Sequence, residues 1–195
     1  MKRKFVVREA RASDRDLVLR FCRDTFEWGD YIENVWDYWL TDPNGRLFVA
    51  IFEEKPVGVN HVAIVKRGEA WVEGARVAPE FRCMGVSSLL NDASFEWAVG
   101  RDAKVVRVVT DSTNFVAQKA LARQGFRFVS EWVLMEFYGC QLEASETVRL
   151  MEKSDLDTVW SYLQASEGFR NSGKLFTLVF RWKSLSKGDL RRFVN

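Results

Sequence analysis

The sequence holds little of the side-chain chemistry on which many enzymes are built. Among 195 residues there is one histidine, His61, and there are three cysteines, Cys22, Cys83 and Cys140. One histidine and no Cys-x-x-Cys pair leave no group with zinc-ligand spacing. A Ser-His-Asp or Cys-His hydrolase would have to be built on His61, and nothing around it in the sequence points that way. A sparse, odd set of cysteines reads as reduced thiols in a cytoplasmic protein, not as a disulfide framework. The first eight residues, Met1 to Arg8, contain no apolar core and read as no signal peptide, and no apolar run approaches membrane-spanning length. An excess of one charge is also missing. Lys and Arg number 29 and Asp and Glu 27, a formal net charge of +2, so neither nucleic-acid binding through bulk charge nor a membrane partner is expected.

What is present is enough for a substantial core. The chain is 47% apolar and 14% aromatic, with eight tryptophans, which argues for one folded domain, or one plus part of another. Phe5 to Arg8 reads as a strand. Ser13 reads as a helix N-cap with Asp16 in the first turn, followed by Leu17, Phe21 and Cys22 at helical spacing. A second helix, Tyr31 to Leu40, precedes the turn Asp42-Pro43-Asn44-Gly45. Strands follow at Leu47–Phe52, Val57–Val65 and Trp71–Val77. Period-two alternation in the last puts Glu73 on the face opposite Arg76. Ser87–Val99 reads as a helix closed by Gly100, Val105–Val109 as a buried strand, and Asn114 or Thr113 as the start of a short helix ending near Gly125. Phe126–Val129 and Trp132–Tyr138 read as a further pair of strands. The order predicts an α/β (α+β) fold with a mixed sheet flanked by helices.

Beyond Gly139 part of the pattern returns. Val148-Arg149 and Ser154-Asp155-Leu156-Asp157-Thr158-Val159 echo Val7-Arg8 and Ser13-Asp14-Arg15-Asp16-Leu17-Val18 at a constant offset. The reading is a domain over 1–140 and an extension over 141–195. The extension is either a partial second copy or a common strand-turn-helix grammar recurring. Its aromatics, Trp160, Phe169, Phe176, Phe180 and Trp182, are expected to pack onto the first domain, with a dimer or partner surface as the rival.

The stretch Arg82-Cys83-Met84-Gly85-Val86-Ser87 lies between a predicted strand and a predicted helix. A glycine and a basic residue at a helix N-terminus suit a phosphate cradle, where backbone N–H groups face the anion. With its neighbours it carries a resemblance. Arg76-Val77-Ala78-Pro79-Glu80-Phe81-Arg82-Cys83-Met84-Gly85-Val86-Ser87 resembles the acyl-CoA pyrophosphate loop of the GNAT N-acetyltransferase superfamily, [QR]-x-x-G-x-[GA], with Ser87 where Gly or Ala is usual. Asn114-x-x-Ala117-x-x-x-Leu121-x-x-x-Gly125-Phe126 resembles the same family's N-x-x-A-x-x-x-Y-x-x-x-G-F. The opening Val7-Arg8 strand and Ser-Asp helix start agree, and together these cover about residues 5–138.

The resemblance implies a splayed sheet that holds acetyl-CoA between its fourth and fifth strands. It implies that amides from Cys83, Met84, Gly85, Val86 and Ser87 hold the pyrophosphate, with Arg82 opening the loop. Arg76, Val77 and Ala78 would pair with the pantetheine, the Val77 N–H would polarise the thioester carbonyl, and Asn114 would bind the pantetheine or position the leaving end. The implied reaction is acetyl transfer to a primary amine, from a small molecule or a peptide N-terminus or lysine. A free amine must lose a proton before it attacks, and Glu73 is the first candidate base. Leu121 stands where the family's tyrosine donates a proton to the departing thiolate, so Tyr31 and Tyr138 are the substitutes considered. Glu27, Asp30, Glu33 and Asp37 interleave with aromatics; they read as a wet helix face, with recognition of a cationic amine as the alternative. His61 reads as a hydrogen-bonded structural residue, with a catalytic role as the alternative. Cys83 reads as a backbone contributor. The rival to an enzyme is an acyl-CoA-binding or regulatory module of the same fold, and a homodimer is the partner state left open.

Overall fold

A strand buried along most of its length needs cover on both faces, and the run from Lys55 to Lys66 is built that way. The computed structural model describes residues 4–23, 25–26, 29–135, 149–178 and 180–194. They fall into two compact units, Met1–Phe126 and Arg127–Asn195.

The first unit carries a five-stranded sheet in the order β1 (Val6–Glu9), β2 (Gly45–Phe52), β3 (Lys55–Lys66), β4 (Glu69–Val77), β5 (Val105–Arg107). The first three pairings are antiparallel and the β4–β5 pairing is parallel. On the other face from α1 (Arg15–Cys22) and α2 (Ile32–Thr41) lies α3 (Val86–Val99), whose Val86 and Leu90 pack with Val62, Val72 and Ala50. The Val18 of α1 and the Ile32, Trp36 and Trp39 of α2 pack with Val49 and Val59. A short helix, α4 (Phe115–Arg123), follows β5 in the chain. Gly58 makes the α3 packing possible, because a Cβ there would come 2.8 Å from Val86 Cγ1. The fold class is therefore the expected mixed sheet flanked by helices.

Several local expectations are corrected. Ser13 does not cap α1. It sits in a short 3-10 turn, Ala12–Asp14, and the organising group is Asp14. The Asp14 carboxylate accepts two hydrogen bonds from Arg8, at 2.7 and 2.8 Å, and one from the Arg11 amide at 2.7 Å. Leu17 is 36% exposed, and Val18 with Cys22 forms the buried face of α1. The strand expected over Val105–Val109 closes after Arg107. The strands expected at Phe126–Val129 and Trp132–Tyr138 do not form in residues 126–135, and Tyr138 lies outside the described residues. Phe128, Val133, Leu134 and Met135 are mostly exposed. Strand-forming side chains without a pairing neighbour do not make a strand.

In the second unit α5 (Leu156–Ala165), α6 (Glu167–Asn171), a two-stranded ladder of β6 (Leu175–Leu178) and β7 (Arg181–Ser184), and α7 (Lys187–Leu190) follow one another. The aromatics named above pair within this unit: Trp160 with Phe169, Phe180 with Trp182, and Phe176 with Phe193. The turn before α5 repeats the first unit atom for atom. Asp155 accepts from Arg149 at 2.7 and 2.8 Å and from the Glu152 amide at 2.8 Å.

Candidate active site

The site is set by what β4 does after Trp71. Up to that residue β4 is laddered on both edges, Glu69–Trp71 facing Val105–Arg107. Beyond it β5 pairs no further, while β3 continues to Val77. The Ala78 amide donates to Val57 O at 2.9 Å, toward β3. Successive residues of a strand point their amide and carbonyl to opposite edges. The Val77 N–H and C=O therefore point away from β3, toward the opened side. Arg82 Nε donates to that same Val77 carbonyl at 3.3 Å.

Downstream of Val77 a single 3-10 turn, Pro79–Phe81, leads into exposed residues Arg82 to Gly85. Cys83 and Gly85 both have positive φ, +60° and +83°. Gly85 is the N-cap of α3, and a Cβ there would meet nothing within 4 Å. Its glycine thus serves backbone conformation and open space, not packing. The first amides of α3, at Val86 and Ser87, have no carbonyl one turn earlier to bond, as at any helix start. They and the loop amides form a positive-dipole terminus beside an exposed arginine. The residues present suit a pyrophosphate. Asn114 caps α4, its Oδ1 accepting from the Ala117 amide at 3.1 Å. Leu121 lies on α4, half-buried.

The expected separation of Glu73 and Arg76 onto opposite faces is wrong. His61 faces Glu73 and Val59 faces Arg76, so three steps on β4 span two on β3. The extra residue is a bulge at Gly74–Ala75, with Gly74 at φ +66°. It returns Arg76 to the face of Glu73, the side of α1 and α2. Two clusters converge there.

In the first, Arg76 Nε lies 2.6 Å and Nη2 3.2 Å from the two oxygens of Asp30, with both side chains nearly buried. Asp30 also accepts from the Ile32 amide, so it holds the start of α2 to β4. The Arg76 guanidinium sits over the rings of Phe26 and Tyr31. Burial pushes the Tyr31 hydroxyl above the usual phenol range, with Arg76 opposing and Glu73 and Asp30 reinforcing. Burial likewise pushes the Cys22 thiol up to about 12, with Asp30 adding to it and Arg76 opposing. Cys22 is therefore an inert core thiol.

In the second, His61 is fully buried, stacked on Trp39 with ring centroids 4.7 Å apart. Its Nδ1 is 2.9 Å from Glu73 Oε1 and its Nε2 is 3.5 Å from Asp42 Oδ2. The sequence marks Asp42 only as a turn residue, and the fold alone brings it to His61. Of the acids from Glu27 to Asp37, Asp30 is tied to Arg76, Glu33 in the first turn of α2 lies near Arg15 and Asp37 lies farther along α2, while Glu27 falls outside the described residues. The structure thus gathers Glu73, Arg76, Val77 and the loop of Arg82–Ser87 along one strand and its exit, and sets Asn114 on a separate helix.

Comparisons with known proteins agree on the family. Residues 15–126 match the model of the acetyltransferase (GNAT) family. A protein of Oreochromis niloticus called histidine N-acetyltransferase is 28% identical over 123 residues, 60% of this chain and 36% of that protein. One of the same name from Scomber australasicus is 27% identical over 127 residues, 62% and 38%. The chain thus spans well under half the length of these curated relatives. Among solved structures, a transcriptional regulator from Bacillus halodurans C-125 superposes with a TM-score of 0.61 at 23% identity, over 69% of this chain and 100% of that one. Aminoglycoside N-acetyltransferase AAC(6')-Iy in complex with CoA superposes with a TM-score of 0.59 at 18% identity, over 72% and 98%. At these identities the structures speak for the fold. Among the described residues no helix is long and apolar enough to cross a membrane.

Proposed function

Because the chain belongs to the GNAT acetyltransferase family, we propose that it transfers an acetyl group from acetyl-CoA to a primary amine by direct attack. The observation that carries this reading is the parting of β4 from β5 with the Val77 amide turned to the open side. In this reading the amides of Cys83 to Ser87 hold the pyrophosphate and Arg82 adds positive charge. The backbone of Arg76, Val77 and Ala78 lies along the pantetheine, with the Val77 amide turned to the opened edge and its carbonyl held by Arg82. The Val77 N–H stabilises the oxyanion as the carbonyl is attacked. Glu73 takes one proton from the ammonium, which lets the amine's lone pair form the C–N bond. Collapse of the oxyanion breaks the C–S bond, and the second N–H proton ends on the departing sulfur. Tyr31 lies on the Glu73 side and holds its proton more tightly than an exposed phenol. That makes it a poorer proton donor than an ordinary tyrosine, so with Leu121 in the usual tyrosine position the sulfur leaves as a thiolate, a fair leaving group, and takes the proton released by the amine.

The acceptor is a small amine or a peptide amine. The two fish relatives are called histidine N-acetyltransferases, so free histidine and other amino acids head the panel of acceptors. CoA release should be measured across amino acids, polyamines and peptides. Glu73→Gln should lower kcat about a hundredfold, in the range a general base contributes, and leave acetyl-CoA affinity unchanged. Tight acetyl-CoA binding without turnover on any acceptor would favour the rival, a binding or regulatory module.

The extension over 141–195 we read as a partial second copy of the fold. The identical Arg–Asp geometry at Arg8–Asp14 and Arg149–Asp155 supports this.

A further inference from the structure

Glu73 does not stand alone on its strand. His61, the chain's single histidine, has a carboxylate at each ring nitrogen: Glu73 at Nδ1 and Asp42 at Nε2. Its side chain is fully buried and that of Asp42 is 3% exposed, so no bulk water reaches the contact. Neither His61 Nε2 nor Asp42 Oδ2 has a hydrogen-bond partner, and the 3.5 Å between them is an ion-pair distance, not a hydrogen bond. The second Asp42 oxygen accepts from the Asn44 amide at 2.8 Å. The arrangement is built by several separate residues. Gly45, paired beside it on β2, leaves the space, because a Cβ there would fall 2.4 Å from Nε2 and 2.6 Å from Asp42 Oδ2. Trp39 lies parallel to the ring with 1° between planes and fixes its rotation.

A neutral imidazole has one N–H and can satisfy one carboxylate; its other nitrogen then turns a lone pair on the second. In a buried site that repulsion is unscreened. A ring carrying both protons presents an N–H, and a positive charge, to each. Among the described residues the other ionisable groups on this side include Tyr31, the inert thiol of Cys22, the Arg15–Glu33 pair and the Arg76–Asp30 pair, each pair internally matched in charge. We propose that His61 is held doubly protonated between Asp42 and Glu73 and is the positioning residue for Glu73. Its Nδ1–H fixes the carboxylate, and its positive charge keeps that carboxylate ionised, ready to take the proton of the acceptor ammonium. Asp42, 3.5 Å from Nε2, balances the charge on that side of the ring. The inference rests on the reading of Glu73 as base, and adds to it two residues that need not touch substrate.

The test begins on the wild-type protein. With 15N-labelled histidine the one imidazole gives one pair of ring signals. Both nitrogens should show the protonated shift between pH 6 and 8, and Asp42→Asn should convert the ring to a neutral pattern. A wild-type ring with one protonated and one bare nitrogen across that range overturns the proposal. The second measurement is the pH profile of kcat/KM. In His61→Asn the acid limb should move to higher pH and kcat fall about tenfold or more, with KM for acetyl-CoA unchanged. Where His61→Asn fails to fold, Asp42→Asn is assayed in its place and should show the same shift. A folded variant with an unmoved profile overturns the proposal. The two readings separate cleanly. Loss of activity in Glu73→Gln with a neutral His61 keeps the base and removes the relay. A doubly protonated His61 in a protein that acetylates nothing keeps the cluster and removes the acceptor chemistry.

Discussion

A side chain at Gly85 would project into open space, yet the residue has φ +83°. Any other residue there costs about 1 kcal/mol or more in backbone strain, so two substitutions are needed to isolate the electrostatics. Gly85→Ala carries the strain alone and should keep most acetyl-CoA affinity. Gly85→Asp adds a negative charge where phosphates would sit, and should weaken binding at least about tenfold beyond Gly85→Ala, a difference of about 1.4 kcal/mol. Calorimetry on the two proteins decides it, and equal affinities would remove the pyrophosphate site. Gly85 was legible in the sequence because its reason is local: a turn residue opening a helix. Gly45 and Gly74 were not legible as functional positions. One makes room for His61 and Asp42, the other for Trp39, and both His61 and Trp39 arrive from distant parts of the chain. The partners of Glu73 are hidden for the same reason, whereas the place of Glu73 on the strand beside the cofactor motif is enough to propose it as the base.

At the scale of the element, β4 explains both the success and the error of reading by period. Alternation identified the strand and placed it beside the loop of Arg82–Ser87. It then failed by one residue, because a period of two cannot register a bulge. The bulge is a device of packing. A Cβ on Gly74 would lie 2.5 Å from two ring carbons of Trp39, so the backbone there has to be bare and left-handed for α2 to close over Glu73 and His61. Gly74→Ala should therefore destabilise the first unit by about 2–4 kcal/mol, the sum of left-handed strain and overpacking. It should also lower kcat while sparing acetyl-CoA affinity, since Val77 and the loop lie beyond the bulge. Urea unfolding with parallel kinetic assays checks both. The strands expected after Gly125 failed for the opposite reason. Residues of high strand propensity were present, and the described residues give them no edge to pair with.

Across the whole molecule, one local device occurs twice, and it differs in how far it is buried. Asp14 is 6% exposed and Asp155 23% exposed as side chains. Burial pulls the Asp14 carboxyl upward, and the hydrogen bonds from Arg8 and the Arg11 amide outweigh it, leaving it below the ordinary carboxylate value. The Arg149 hydrogen bonds, followed by the Glu152 amide, hold Asp155 down to about 2 from an ordinary 3.8. A carboxyl that holds its proton more weakly in the folded state stabilises that state above the unfolded value and stops doing so as pH falls through the folded one. Asp14→Asn should then cost the first unit about 2–3 kcal/mol at neutral pH, through charged hydrogen bonds and a helix start. Asp155→Asn should loosen α5 at neutral pH and lose its effect progressively from about pH 4 down to about pH 2, where the wild-type aspartate is itself protonated. Hydrogen exchange read segment by segment provides the check, because it reports α1 and α5 separately. Independent units require that Asp155→Asn leave α1 protection unchanged and that Asp14→Asn leave α5 unchanged. Loss of protection in both helices from either substitution would mean that the two copies of the turn belong to one cooperative structure, and the division at Phe126 would then have no thermodynamic counterpart.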